Sequence, residues 1–179
     1  PSLAKAEKKA IEYIEKEIVA DYKKSKDYNT ESLLEWLYVR SFFTDVAPSA
    51  SMLPIKNKAI SKIATGWKTY DIDDAATAAV LLFREGRKSI ATEILESLSQ
   101  RASYSPERGM WYDNLRSDWT SHSPMFVTAR VLQAFTEVYP SSPSIDKLKQ
   151  WLLLERQAQD WGPDCRLAEV ISGILSNPT

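Results

Sequence analysis

Apolar side chains recur along most of this chain at three- and four-residue intervals, the spacing that places them on one face of a helix. Ala6, Ala10, Ile11, Ile14, Ile18 and Tyr22 predict a first helix from about Ser2 to Lys24, with a Lys- and Glu-covered outer face. The stretch "YNTESLLEWLYVRSFFTDV", residues 28 to 46, crowds Leu33, Leu34, Trp36, Leu37, Tyr38, Val39, Phe42 and Phe43 into barely three turns. It predicts a second helix, capped by Asn29 or Thr30 and running to about Phe43 before "APSASMLP" stops it. A third covers Ile55 to Trp67, with Ala59, Ile60, Ile63 and Ala64 inward. The fourth, "DDAATAAVLLFREG", ends at Gly86, a residue suited to a left-handed helix cap. The fifth begins at Ser89 and continues through Ile94, Leu95 and Leu98 toward Ala102.

Periodicity then lapses for about twenty residues, "YSPERGMWYDNLRSDWTSHSP", a length at which loops are either functional or packed by their own side chains. Trp111, Tyr112 and Trp119 supply aromatic groups for such packing. A sixth helix is expected over Met125 to Val138, a seventh from Ile145 to about Gln159, and a short apolar eighth from Leu167 to Leu175. Two kinds of helix alternate. Some carry a Lys/Glu face, whereas Ala75 to Phe83 and Val127 to Phe135 are small and apolar on most sides. A helix that is apolar nearly all round is buried, so an inner and an outer layer are implied, and the second helix is expected to be covered on two sides between them.

Composition supports an all-α fold, with only 5 glycines and with prolines placed between apolar runs. A length of 179 residues fits one domain, taken here as residues 1–179. The 23 basic and 24 acidic side chains nearly cancel, so net charge attracts neither nucleic acid nor an anionic membrane. No run reaches the roughly 18 apolar residues of a membrane span, and the opening "PSLAKAEKKAIEYIEKE" reads as an amphipathic helix rather than a signal peptide. The location is then cytoplasmic unless a targeting segment lies outside the chain.

Antiparallel helix pairs in outer and inner rings describe an α/α toroid of the terpenoid cyclase and thioester-domain kind. The stretches "AIEYIEKEIVADY", "WLYVRSFF", "LLFREGRKSIATEILESLSQRA", "GMWYDN", "LQAFTEV" and "WLLLERQAQDW" resemble, in order and spacing, the toroid of bacterial alpha-macroglobulin-like proteins of Bacteroidetes type. The resemblance spans nearly the whole chain. It implies a parent that is large, extracytoplasmic and lipid-anchored, acting in protease trapping or surface defence. It implies as partners the other domains of the same polypeptide, and proteases. Further toroid helices precede this segment in that family, so a partial ring of about eight helices is expected, with an apolar patch or self-association at its open edge.

The departures bear on chemistry. Covalent capture in that family requires Cys-Gly-Glu-Gln, whose thiol and glutamine condense to a thioester. Cys165, the only cysteine, is followed by Arg166, Leu167 and Ala168, so no thioester forms. After Trp161 the family usually carries threonines where this chain reads "WGPDCRLAEVISG", and only Ala168 and Glu169 agree well there. Phe126 stands where the family usually has a glutamate.

Other candidate chemistry competes with plain structural roles. "YDIDDAATAAV" resembles the DXDD of class II terpene cyclases, whose middle aspartate, here Asp73, protonates an alkene. Asp71, Asp73 and Asp74 also open a helix, where capping and the helix dipole account for acidic residues without catalysis. Trp111, Tyr112 and Trp119 suggest a carbohydrate-binding face, which hydrolysis would have to supplement with carboxylates such as Glu107, Asp113 or Asp118. The single His122 excludes His-pair metal sites, and nothing pairs Cys165 with it. The expectation is a non-catalytic scaffold without cofactor or metal; the alternative is an enzyme on an α/α barrel, a DXDD-type cyclase or a carbohydrate-active toroid.

Overall fold

The computed structural model describes residues 3–25, 28–113 and 123–158. Among them the chain is mostly helical: seven α-helices, two short 3-10 turns and one two-stranded hairpin. The expected eighth helix, Leu167 to Leu175, lies outside the described residues. The chain divides into two compact units, Pro1–Gly66 and Trp67–Thr179.

The first unit opens with α1 (Leu3–Lys24). A 3-10 turn (Thr30–Leu33) leads into α2 (Leu34–Arg40), and α3 (Leu53–Gly66) closes the unit. Asn29 is the cap, its side chain accepting the Glu31 N–H at 3.0 Å, and the buried core gathers Leu33, Leu34, Leu37 and Tyr38 with Ile55, Ala59, Ile60 and Ile63. The 3-10 turn and α2 both pack on α3.

α2 stops three residues earlier than its apolar run predicts. Past Arg40 the coil tightens into turns, with Phe42 N–H on Val39 O (3.2 Å) and Phe43 N–H on Arg40 O (3.1 Å), and the Arg40 guanidinium donates to the carbonyls of Phe43 (2.6 Å) and Val46 where the chain turns away. The two-sided burial expected of this segment is not what the structure has. Val39 is 46% and Phe42 55% exposed, while Leu34, Leu37 and Tyr38 are buried, so α2 is covered on one face. α1 is similarly one-sided: Ile11 and Glu15 are buried, whereas Tyr13 is 66% exposed and Ala6 and Ala10 are open to solvent.

The second unit contains a 3-10 turn (Trp67–Thr69), α4 (Ile72–Arg84), α5 (Lys88–Arg101), the strands β1 (Ser103–Ser105) and β2 (Gly109–Trp111), α6 (Pro124–Val138) and α7 (Ser144–Ala158). The two small apolar helices are its centre. α4 packs on α6, with Ala75, Ala76, Ala78, Ala79, Leu81 and Leu82 on one side and Val127, Ala129, Val131, Leu132, Ala134 and Phe135 on the other, all essentially inaccessible. Small alanines let the helices approach closely, and the leucines and Phe135 fill the remaining space at interior density. α5 packs on α4 and α7 on α6, each through one apolar stripe: Ala91, Ile94, Leu95 and Leu98 on α5, and Ile145, Leu148, Trp151 and Leu152 on α7.

The ends of these helices follow local chemistry. Gly86, at φ +79°, closes α4 as expected, with Gly86 N–H to Phe83 O (3.0 Å) and Arg87 N–H to Leu82 O (2.8 Å), the paired bonds of a Schellman cap. Pro124 opens α6 behind the Ser123 cap, whose hydroxyl accepts the Phe126 N–H at 3.3 Å. At their C-terminal ends α4 and α6 are joined by a two-point ion pair, Arg84 Nε to Glu137 Oε1 (2.7 Å) and Nη2 to Oε2 (2.8 Å).

The aperiodic stretch after α5 begins with structure. Ser103, Tyr104 and Ser105 pair antiparallel with Trp111, Met110 and Gly109 around a turn at Pro106–Arg108. The hairpin is too short for alternation to register as a pattern, and its stability comes from α7, against which β2 packs.

Candidate functional site

The aromatic cluster on the hairpin is the densest grouping of the expected site residues. Trp111 lies on β2 and stacks with Trp151 of α7, ring centres 6.4 Å apart and planes 12° from parallel. The Arg108 guanidinium sits 4.6 Å from the Trp111 ring centre and bonds Glu155 Oε1 at 3.2 Å. Trp111 Nε1 donates to Asp113 Oδ2 (2.7 Å), and Ser103 Oγ donates to Asp113 Oδ1 (2.7 Å). The Trp111 indole is the first cause, and the Ser103 hydroxyl the second, that holds the Asp113 carboxyl below the usual carboxylate range. Both carboxylate oxygens of Asp113 are thus engaged within the hairpin.

Tyr112, the next residue, faces the other way. It is 1% exposed, its hydroxyl donates to Leu98 O at 2.8 Å, and its backbone N–H donates to Thr128 Oγ1 at 3.3 Å. Burial pushes its phenol far above the ordinary range, with the nearby Arg101 charge opposing. Its position ties the hairpin to α5 and α6. The structure therefore separates two residues that sequence groups together: Trp111 rests on α7 and Tyr112 fills the core. Trp119, the third of the group, lies outside the described residues, as do Asp118, His122 and Cys165.

Gly109 makes this arrangement possible. Its φ is +83°, and a Cβ added there would collide with the Lys147 carbonyl oxygen and lie 3.1 Å from Gln150 Cβ and 3.2 Å from Trp151 N. The strand thus lies directly on the backbone of α7, and Gln150 Nε2 closes the contact by donating to Pro106 O (3.1 Å) and Glu107 O (3.0 Å). Sequence spacing does not announce Trp151 and Glu155 as neighbours of Trp111, because α7 lies some forty residues further along the chain.

The acidic group is placed at the start of α4. Asp71 occupies the N-cap position with extended backbone, its carbonyl accepts the Ala75 N–H at 2.9 Å, and its side chain makes no capping bond. Asp73 and Asp74 fall in the first turn, and all three are half-buried. The Asp73 carbonyl accepts the Thr77 hydroxyl at 2.9 Å. Three acidic residues at this end complement the helix dipole. Among the described residues no three His, Cys, Asp or Glu side chains are grouped to hold a metal ion, and no helix is long and apolar enough to cross a membrane.

Compared with protein-family models, curated proteins and solved structures, the chain matches nothing.

Proposed function

We propose that this chain is the later part of a thioester-type α/α toroid from a bacterial alpha-macroglobulin-like surface protein, serving as a non-catalytic scaffold in protease trapping or inhibition. The observation that carries the reading is the pairing of α4 with α6, two helices buried over most of their surface, each backed by an amphipathic helix, α5 or α7. This is the packing that concentric helical rings require. The exposed Tyr13 of α1, Val39 of α2 and Phe42 just beyond it offer apolar area to other domains of the same polypeptide, the partners this reading assigns. Proteases are the external partners. The parent is extracytoplasmic and lipid-anchored, and the segment itself inserts in no membrane and binds no nucleic acid.

The reading assigns Cys165 no covalent role, since no glutamine stands three residues after it. Treated with methylamine and then denatured, the protein should show the same single titratable thiol as before treatment. A thiol that appears only after amine treatment contradicts the assignment. The functional test belongs to the full-length protein. Its reading frame should encode flanking β-sandwich domains and an upstream lipoprotein signal, and the product should retain an added general protease through native size-exclusion chromatography. A frame without such domains, or a product that leaves the protease free, refutes the proposal.

A further inference from the structure

We infer that α1 and the connection between α2 and α3 open and close together as one local unit, latched by the carboxylate of Glu15. Helix α1 has 22 residues, yet among those described only Ile11 and Glu15 are buried. A helix with so little apolar cover is held by few contacts and opens at a lower free energy than the core beside it. Its buried polar contact is specific. Glu15 Oε1 accepts Arg40 Nε at 2.9 Å, with 6% and 10% of the two side chains exposed, and Oε2 accepts the Ser49 backbone N–H at 3.3 Å. The same guanidinium holds the carbonyls of Phe43 and Val46.

One carboxylate therefore bridges α1, the end of α2 and residues 43–49. If α1 leaves, Arg40 loses its counter-charge and Ser49 N–H its acceptor, so the connection keeps only the Arg40 bonds to Phe43 and Val46 and is held more weakly. If the connection leaves, Glu15 is stranded in the same way. Between the two lies a cleft of about 370 Å³, already open to solvent and lined by Ile11, Glu12, Glu15, Val19, Val46 and Ser49, so opening widens an existing gap rather than breaching a sealed core. The far end of α1 stays tethered: Tyr22 packs edge-on against Tyr28, ring centres 5.7 Å apart, and accepts Lys58 Nζ at 3.3 Å, which places the hinge there.

The experiment is hydrogen exchange with peptide-level mass spectrometry on the whole chain. In the unsubstituted protein, peptides from α1 and from residues 41–52 should show matching protection, lower than that of α4 and α6. Glu15→Gln should speed exchange in both of the first two by the same factor, at least about tenfold, the scale of losing a hydrogen bond to a charged group, and leave α4 and α6 unchanged. Arg40→Lys keeps the charge but not the three-way fork, and should act on the same two segments. Glu17→Gln, at an exposed position of α1 that does not line the cleft, should change neither. Acceleration of α1 alone, equal acceleration of α4 and α6, no acceleration, or global unfolding of both Glu15→Gln and Arg40→Lys overturns the inference.

Discussion

Replacing Gly109 by alanine isolates a close backbone approach in the second unit, and Gly86 supplies a control within the same unit. Both residues have positive φ, +83° and +79°, so alanine at either position meets the penalty of about 1–2 kcal/mol for an L-residue in left-handed backbone. Alanine also restricts the unfolded chain, which returns about 0.4–1 kcal/mol at each site. The surroundings differ. Nothing lies within 4 Å of a Cβ at Gly86, whereas at Gly109 the added carbon runs into the Lys147 carbonyl, with Gln150 Cβ and Trp151 N close behind. Two of the three obstacles are backbone atoms of a helix, so relief requires the hairpin to move as a body, and overpacking of this kind costs about 1–3 kcal/mol. Gly86→Ala should therefore lose about 1 kcal/mol and Gly109→Ala about 2–4 kcal/mol. Urea titration followed by tryptophan fluorescence reads the difference, since the Trp111–Trp151 stack reports on the contact itself. Equal losses from the two variants at equal denaturant slope would refute the claim that β2 rests on α7.

Tyr112→Phe should cost about 1–2 kcal/mol in the same titration, because Leu98 O is left buried without its donor. Because burial raises the Tyr112 ionisation in the folded state, its contribution is fully present below the ordinary phenol value near 10 and is lost as pH rises beyond it. Alkaline unfolding followed by circular dichroism should therefore be less steep in Tyr112→Phe than in the parent. A double-mutant cycle on Arg84→Ala and Glu137→Ala should return a coupling of about 1 kcal/mol, as expected of a two-point pair only partly screened by solvent; a coupling near zero would show that the pair does not join α4 to α6.

Much of the architecture is legible along the chain. The alanine- and leucine-rich runs of α4 and α6 are apolar on most sides, and water-avoidance alone requires that other helices cover those sides. Gly86 marks the end of α4 because only glycine adopts that cap without strain, and Ser123-Pro124 marks the start of α6 for an equally local reason. What depends on nearest neighbours in sequence can be read there.

The remainder depends on residues that meet only after folding. The apolar run at 33–43 looks like a longer helix buried on two sides, but α2 ends at Arg40, whose guanidinium meets Glu15 and the Phe43 and Val46 carbonyls, and Val39 and Phe42 are on the exposed side. The hairpin at 103–111 has too few residues to show a period and stands because α7 supports it. Adjacent Trp111 and Tyr112 take opposite roles because strand geometry turns successive side chains to opposite sides, one meeting α7 and the other the core. Helix content and cap positions thus follow from the order of residues alone, whereas the end of α2, the hairpin and the surroundings of each aromatic were decided by tertiary packing, because their partners are distant along the chain and adjacent only in space.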